Sequence, residues 1–184
     1  MSTRPFLEGI AVELRPLALD DVTPIYVNWL NDEEVCKYNS HHVFPYTIEL
    51  AMEYVKHVRS QKSDLVLAIV AKDSGMHIGN ISLQNIHPVY RNAEYAIILG
   101  DKNYWGKGIA KEASKMIIQH GFSALNLHRI YCGTSAENMP MQKLALALGF
   151  KEEGRRKDAM FKNGAFVDMI EYGLLRENFK VDQP

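Results

Sequence analysis

Two glycines, Gly106 and Gly108, stand in the run Asn103-Tyr104-Trp105-Gly106-Lys107-Gly108-Ile109-Ala110, between an apolar stretch and an amphipathic one. That spacing suits a strand-to-helix junction, where the first four amides of a helix have no partner within it. The helix dipole adds positive potential, and glycine lets an anion reach the main chain with no side chain in the way. The chemistry this arrangement suits is capture of a phosphate or diphosphate, to which Lys107 and Lys111 could add charge. Two familiar nucleotide patterns fail on spacing. A G-x-x-x-x-G-K-[ST] loop is excluded because five residues lie between Gly100 and Gly106 and Lys107 is followed by Gly108 instead of a hydroxyl. A G-x-G-x-x-G fingerprint is not met either, since its third position is Lys111 and no series of β–α–β units surrounds it.

Other polar groups fall into patterns of their own. Asn80, Ser82 and Gln84 alternate with Ile81 and Leu83, so one face of a strand offers two amides and a hydroxyl that could read a polyhydroxylated ligand, although any half-exposed strand has the same alternation. His41 and His42 lie in a polar loop, residues 39–46. Cys36 and Cys132 are far apart and in no C-x-x-C pair, which argues against a disulfide framework and a thiolate metal site and for a reducing compartment. With 21 basic and 22 acidic residues, a net charge of -1 and no basic tract, nucleic acid is not an expected partner. The first residues lack the apolar core of a signal peptide, and no run approaches the ~18 apolar residues needed to span a bilayer. The reading is cytoplasmic, with no membrane partner.

The elements that must position these groups are legible in outline. A strand over 12–17 leads to a helix capped by Asp20 or Asp21, which carries Pro24 in its first turn and runs to about residue 31. A further helical turn covers 32–38, and Thr47 caps a helix through Leu50, Met52, Tyr54, Val55 and Val58. Residues 65–71 and 77–86 read as a hairpin, and 93–99 as the next strand. After the glycine loop comes a long helix whose inner face is Ile109, Ala110, Ala113, Met116, Ile117 and Ala124. A strand over 129–134, a helix over 139–148 closed by Gly149, and strands over 151–161 and 166–175 around Asn163-Gly164 complete the chain. The 184 residues, 47% hydrophobic and 23% charged, suit one mixed α/β domain over 1–184.

Several motifs in order resemble the GNAT superfamily of N-acetyltransferases, in its RimJ/RimL-like branch. They are Leu14-Arg15-Pro16-Leu17, Ala93-Glu94, Trp105-Gly106-Lys107-Gly108, Leu127-His128-Arg129-Ile130, Asn138, Leu148-Gly149-Phe150, Glu153-Gly154, Gly164 and Asp168, so the similarity covers nearly the whole chain. The family's acyl-CoA loop, Q/R-x-x-G-x-G/A, is matched by Gly106 and Gly108, with Asn103 in the first position.

The resemblance implies a single-domain GNAT fold, a mixed central sheet with two splayed parallel strands flanked by helices. It implies acetyl-CoA as co-substrate, no metal, and direct attack by a primary amine on a thioester held between strands 93–99 and 129–134. Residues Asn103, Tyr104, Trp105, Gly106, Lys107, Gly108, Ile109 and Ala110 would hold the coenzyme, with Asn138 on its pantetheine arm. A main-chain N–H at Ile98 would face the thioester carbonyl, and Glu94, on the same strand face as Ala96 and Ile98, would take the amine's proton. His41, His42 and Tyr46 fall where relatives close over the acceptor, beside Asn80, Ser82 and Gln84. The family's serine and tyrosine after the asparagine are replaced by Met141 and Ala145, which leaves Tyr131, Cys132 or solvent to protonate the thiolate. Relatives acetylate protein N-termini, polyamines and amino sugars. Trp29-Leu30-Asn31-Asp32 and residues 77–81 lean towards nucleotide amino sugars. Dimers are common among relatives, so a homodimer is allowed. Loss of the serine and tyrosine also permits an acyl-CoA binding or sensing domain without catalysis.

Overall fold

A computed structural model describes residues 5–180. The strands are β1 (Leu7–Glu8), β2 (Val12–Pro16), β3 (Leu65–Ala71), β4 (His77–His87), β5 (Asn92–Leu99), β6 (Arg129–Ser135), β7 (Lys151–Lys162) and β8 (Ala165–Leu175). The α-helices are α1 (Pro24–Asn31), α2 (Ile48–Ser60), α3 (Ile109–Ser123) and α4 (Met139–Ala147). Among the described residues the eight strands form one sheet, in the order β1-β2-β3-β4-β5-β6-β8-β7. The β5–β6 pair is parallel, whereas the other six pairs are antiparallel. This is the mixed α/β GNAT architecture that the motifs imply.

Apolar alternation assigns the two faces. Leu14, Ile69, Ile81, Leu83, Tyr95 and Ile130 point to one side, where Ile109, Ala113, Ile117 and Ile118 of α3 meet them in the main core. Tyr95 is buried with its hydroxyl 2.6 Å from Ser114 Oγ, so the phenol brings no unpaired polar group inside. The opposite side carries α1 and α2, with Tyr26, Trp29, Leu30 and Ala51 in one cluster and Leu17, Val55, Ala68 and Val70 in another.

Three local expectations change. The short edge strand β1 is an addition, tied on by the Phe6 N–H donating to the Leu14 carbonyl at 2.8 Å. The cap of α1 is Thr23, whose hydroxyl accepts from Tyr26 N, while Asp21 is buried and holds Arg15 through both oxygens at 2.7 and 2.6 Å. Residues 32–38 form turns and no α-helix, pinned by Asp32 Oδ1 accepting from the amides of Glu34 and Val35. The Asn-Gly signal holds. Asn163 and Gly164, at φ 52° and 80°, make the two-residue loop between β7 and β8 that only left-handed backbone can close.

Candidate active site

The register of β5 against β6 opens a gap. They pair only over Asn92–Arg129, Ala93–Ile130 and Glu94–Tyr131, and beyond that point the limbs 95–99 and 132–135 have no partner in each other. A wedge between two strands bares main-chain N–H groups that a sheet would normally use.

Which amides face the wedge follows from the β4–β5 ladder. Gly100 N donates to Ile78 O at 2.9 Å, and Asn80 stands opposite Ile98. Hydrogen-bonding sides alternate along a strand, so the main chain of Ile98 turns to β4 and that of Ile97 and Leu99 turns to the wedge. The Leu99 carbonyl agrees, because it accepts the Trp105 indole N–H at 2.7 Å and not a β4 amide. This corrects the expectation at Ile98, whose N–H points the wrong way and whose side chain packs with the Tyr26–Trp29 cluster.

The glycine loop ends at the head of α3. Gly108 is the helix N-cap at φ 81°, Gly106 has φ 73°, and neither has an atom within 4 Å of the place a Cβ would take. Among the described residues no acceptor meets the amides of Gly106, Lys107, Gly108, Ile109, Ala110 or Lys111. The amides just upstream are spent. Asn103 N donates to Asp101 Oδ1, Tyr104 N to Asp101 O and Trp105 N to Lys102 O. The open cradle therefore spans 106–111, which narrows the expected 103–110 and adds Lys111. It fits a diphosphate by donor number and by the absence of side chains above it. With Gly108 as cap, Gly108 and Ala110 fill the two small positions of the Q/R-x-x-G-x-G/A pattern and Trp105 its first, a register that moves Asn103 out of the motif.

Glu94 lies on the face opposite α3, at the apex of the wedge, and its Oε2 accepts from Asn85 Nδ2 at 3.3 Å. No cation stands within ion-pairing distance of it among the described residues. Tyr131 is its direct neighbour across the strands, and burial first, then the charges of Glu94 and Glu171, raise that phenol above its ordinary range. Cys132 points the other way into the core, and burial, then Glu171 and Glu94, pushes its thiol up to about 12. It is protonated but walled off. Ala145, where relatives carry a tyrosine, is fully buried.

Asn138 caps α4. Its Oδ1 accepts from Met141 N at 3.2 Å and its Nδ2 donates to Thr134 Oγ1 at 3.1 Å, which leaves one amide hydrogen for another partner.

The acceptor-side residues are only partly gathered. Asn80 receives nothing from the wedge: its Oδ1 lies 2.8 Å from His77 Nε2 and its Nδ2 donates to the Tyr26 hydroxyl. His77 in turn sits 3.7 Å from Asp21 and packs edge-on against Trp29. Of the segments 29–32 and 77–81, Trp29, His77 and Asn80 are thus joined in one half-buried network, while Asp32 turns to Lys102 at the surface. Ser82 is buried and accepts from Gln84 Nε2 at 2.9 Å. Tyr46 is fixed by Asn31, which exchanges hydrogen bonds with its main chain at 2.7 and 2.8 Å. His41 and His42 are exposed on the loop that Lys162 ties down through the His41 carbonyl. Among the described residues no group of three His, Cys, Asp or Glu could hold a metal ion, and no helix is long and apolar enough to cross a membrane.

Comparison with known proteins converges on one family. The family model described as "Acetyltransferase (GNAT) domain" matches residues 11–151. A spermidine N(1)-acetyltransferase from Escherichia coli K12 is 31% identical over 170 residues, covering 92% of this chain and 88% of that protein. An uncharacterized N-acetyltransferase, p20, from Bacillus licheniformis is 32% identical over 90% of this chain and 93% of its own length. The crystal structure of spermidine N-acetyltransferase from Vibrio cholerae, in complex with CoA and spermine, superposes with a TM-score of 0.83 at 25% identity, covering 91% and 97% of the two chains.

Proposed function

Since the chain belongs to the GNAT family of acetyl-CoA-dependent N-acetyltransferases, we propose that its acceptor is a small polyamine-type primary amine. The observation that carries the reading is the row of six amides, 106–111, that find no acceptor among the described residues and open beside the wedge between β5 and β6. The spermidine-acetylating relatives support the acceptor class, and Asn80 and His77, being tied to each other, lend nothing to a nucleotide amino sugar. Residues 1–184 work as one catalytic domain of the RimJ/RimL-like branch, a reading the order of the motifs supports.

Amide 106–111 groups bind the diphosphate, and the remaining Nδ2 hydrogen of Asn138 serves the pantetheine arm. Acetyl-CoA supplies the electrophilic carbonyl: a C–N bond forms, the C–S bond breaks, and the proton leaves nitrogen as the thiolate gains one. Amides of Ile97 and Leu99 stabilise the oxyanion, where a donor is worth ~10²–10³ in rate. An alkyl ammonium has a pKa of ~10 and must lose a proton before attack, which is the work of Glu94. Tyr131, raised and so protonated at neutral pH, protonates the sulfur. His41, His42 and Tyr46 border the acceptor's entrance, with Gln84 and Ser82 along its floor.

Thiol release from acetyl-CoA, measured with spermidine, an N-terminal peptide and a nucleotide amino sugar, tests this. Turnover with spermidine well above the other two is expected; the reverse order rejects the acceptor class. We place the enzyme in the cytoplasm, as the free thiols Cys36 and Cys132 favour, and as a homodimer, for which the exposed pair Phe161–Phe166 offers a surface. Sedimentation velocity checks the latter.

A further inference from the structure

A second carboxylate lies over the free limb of β6 that edges the wedge, and nothing in the motifs points to it. Strand β6 pairs Tyr131 with Gly173 and Gly133 with Glu171 of β8, while β5 pairs Glu94 with Tyr131. Residues opposite one another, or two apart, share a face, so Glu94, Tyr131, Gly133 and Glu171 all lie on the acceptor side of the sheet. Gly133 is two residues past the last β5–β6 pair, on the free limb of β6. A Cβ there would stand 3.1 and 3.3 Å from the two oxygens of Glu171 and 3.2 Å from Met169 Cε. The missing side chain is what lets the Glu171 carboxylate lie across β6 towards the gap. Glu94 and Glu171 thus flank Tyr131 from either side, and both raise its phenol and the thiol of Cys132.

Resting on the acetyltransferase reading above, we infer that Glu171 is a specificity residue: it binds a second cationic nitrogen of the acceptor while Glu94 serves the nitrogen that is acetylated. The acceptor class is then a diamine or polyamine, because a lone amine leaves one carboxylate unused. Arg156 Nε donates to Glu171 Oε1 at 2.6 Å, from a guanidinium side chain that is 61% exposed. Such a partner is weakly held and replaceable, so a substrate ammonium competes with it for the carboxylate.

The readout is the ratio of kcat/KM for spermidine to kcat/KM for propylamine. Glu171→Gln lowers that ratio about tenfold, the size of one charge-assisted contact, through KM and not kcat. Glu171→Asp keeps part of it. Arg156→Gln, which frees the carboxylate, raises the ratio. Melting temperature and acetyl-CoA affinity, both within error of the parent, establish that each variant is folded. An unchanged ratio in Glu171→Gln, or a fall in Arg156→Gln, overturns the assignment while leaving the acetyltransferase reading intact. A parent protein that binds acetyl-CoA yet releases thiol with neither amine overturns both.

Discussion

Among the described residues Glu94 has the simplest environment of the charged groups at the wedge, one amide contact and no ion pair, and so its oxygens are available to an incoming ammonium. For the thiolate's proton, Cys132 is sealed in the core and Ala145 has no acidic proton, which leaves Tyr131 or solvent for that step. Glu94→Gln should lower kcat by ~10²–10⁴, the usual worth of general base catalysis, while acetyl-CoA affinity by calorimetry stays within about twofold. Equal kcat would remove it from the mechanism. The sequence could nominate Glu94 for the amine's proton but not choose between Tyr131 and Cys132 for the thiolate's, because a side chain's face and burial depend on which strand lies beside it. Ile98 illustrates the same gap: its strand is legible in the sequence, but the direction of its N–H is set by the bond between Gly100 and Ile78.

At the scale of elements, the proposed phosphate cradle depends on backbone that L-residues rarely adopt. Gly108 at φ 81° ends the loop and starts α3, and an L side chain in the left-handed region costs ~1–2 kcal/mol. Gly108→Ala should therefore weaken acetyl-CoA binding by ~5–30-fold, as that penalty is met by moving the amides. Gly154 is the control, with open space around it and no left-handed φ, and Gly154→Ala should leave calorimetric affinity unchanged. Caps and turns were the elements most readable beforehand. Thr47 caps α2 and Asn163-Gly164 turns the hairpin because each acts within four residues of itself. Thr23 displaced Asp21 as cap of α1 since Arg15, six residues away on β2, claimed the aspartate.

For the molecule as a whole, the half-buried Asp21–His77–Asn80–Tyr26 network ties β4 to α1, and it titrates. Burial holds His77 below its ordinary pKa, with Asp21 and Asn80 opposing it less strongly. In the unfolded chain this imidazole protonates near ~6.5. The folded state therefore binds fewer protons below that pH, so its stabilising share is complete above ~6.5 and is lost as pH falls towards the folded value. Urea midpoints should drop between pH 7.5 and pH 5.5, and His77→Gln should flatten the slope; an identical slope would assign the loss to His41 or His120, both shifted the same way. By itself the sequence determined the order of the longer elements from residue 65 onward, the glycine loop and the family, because local periodicity, turn chemistry and short motifs act over a few residues. Only the tertiary structure decided which amides stay open, that Asn80 is spent on His77, and that Glu171 reaches over Gly133, because those facts rest on strand register and on contacts between residues distant in the chain.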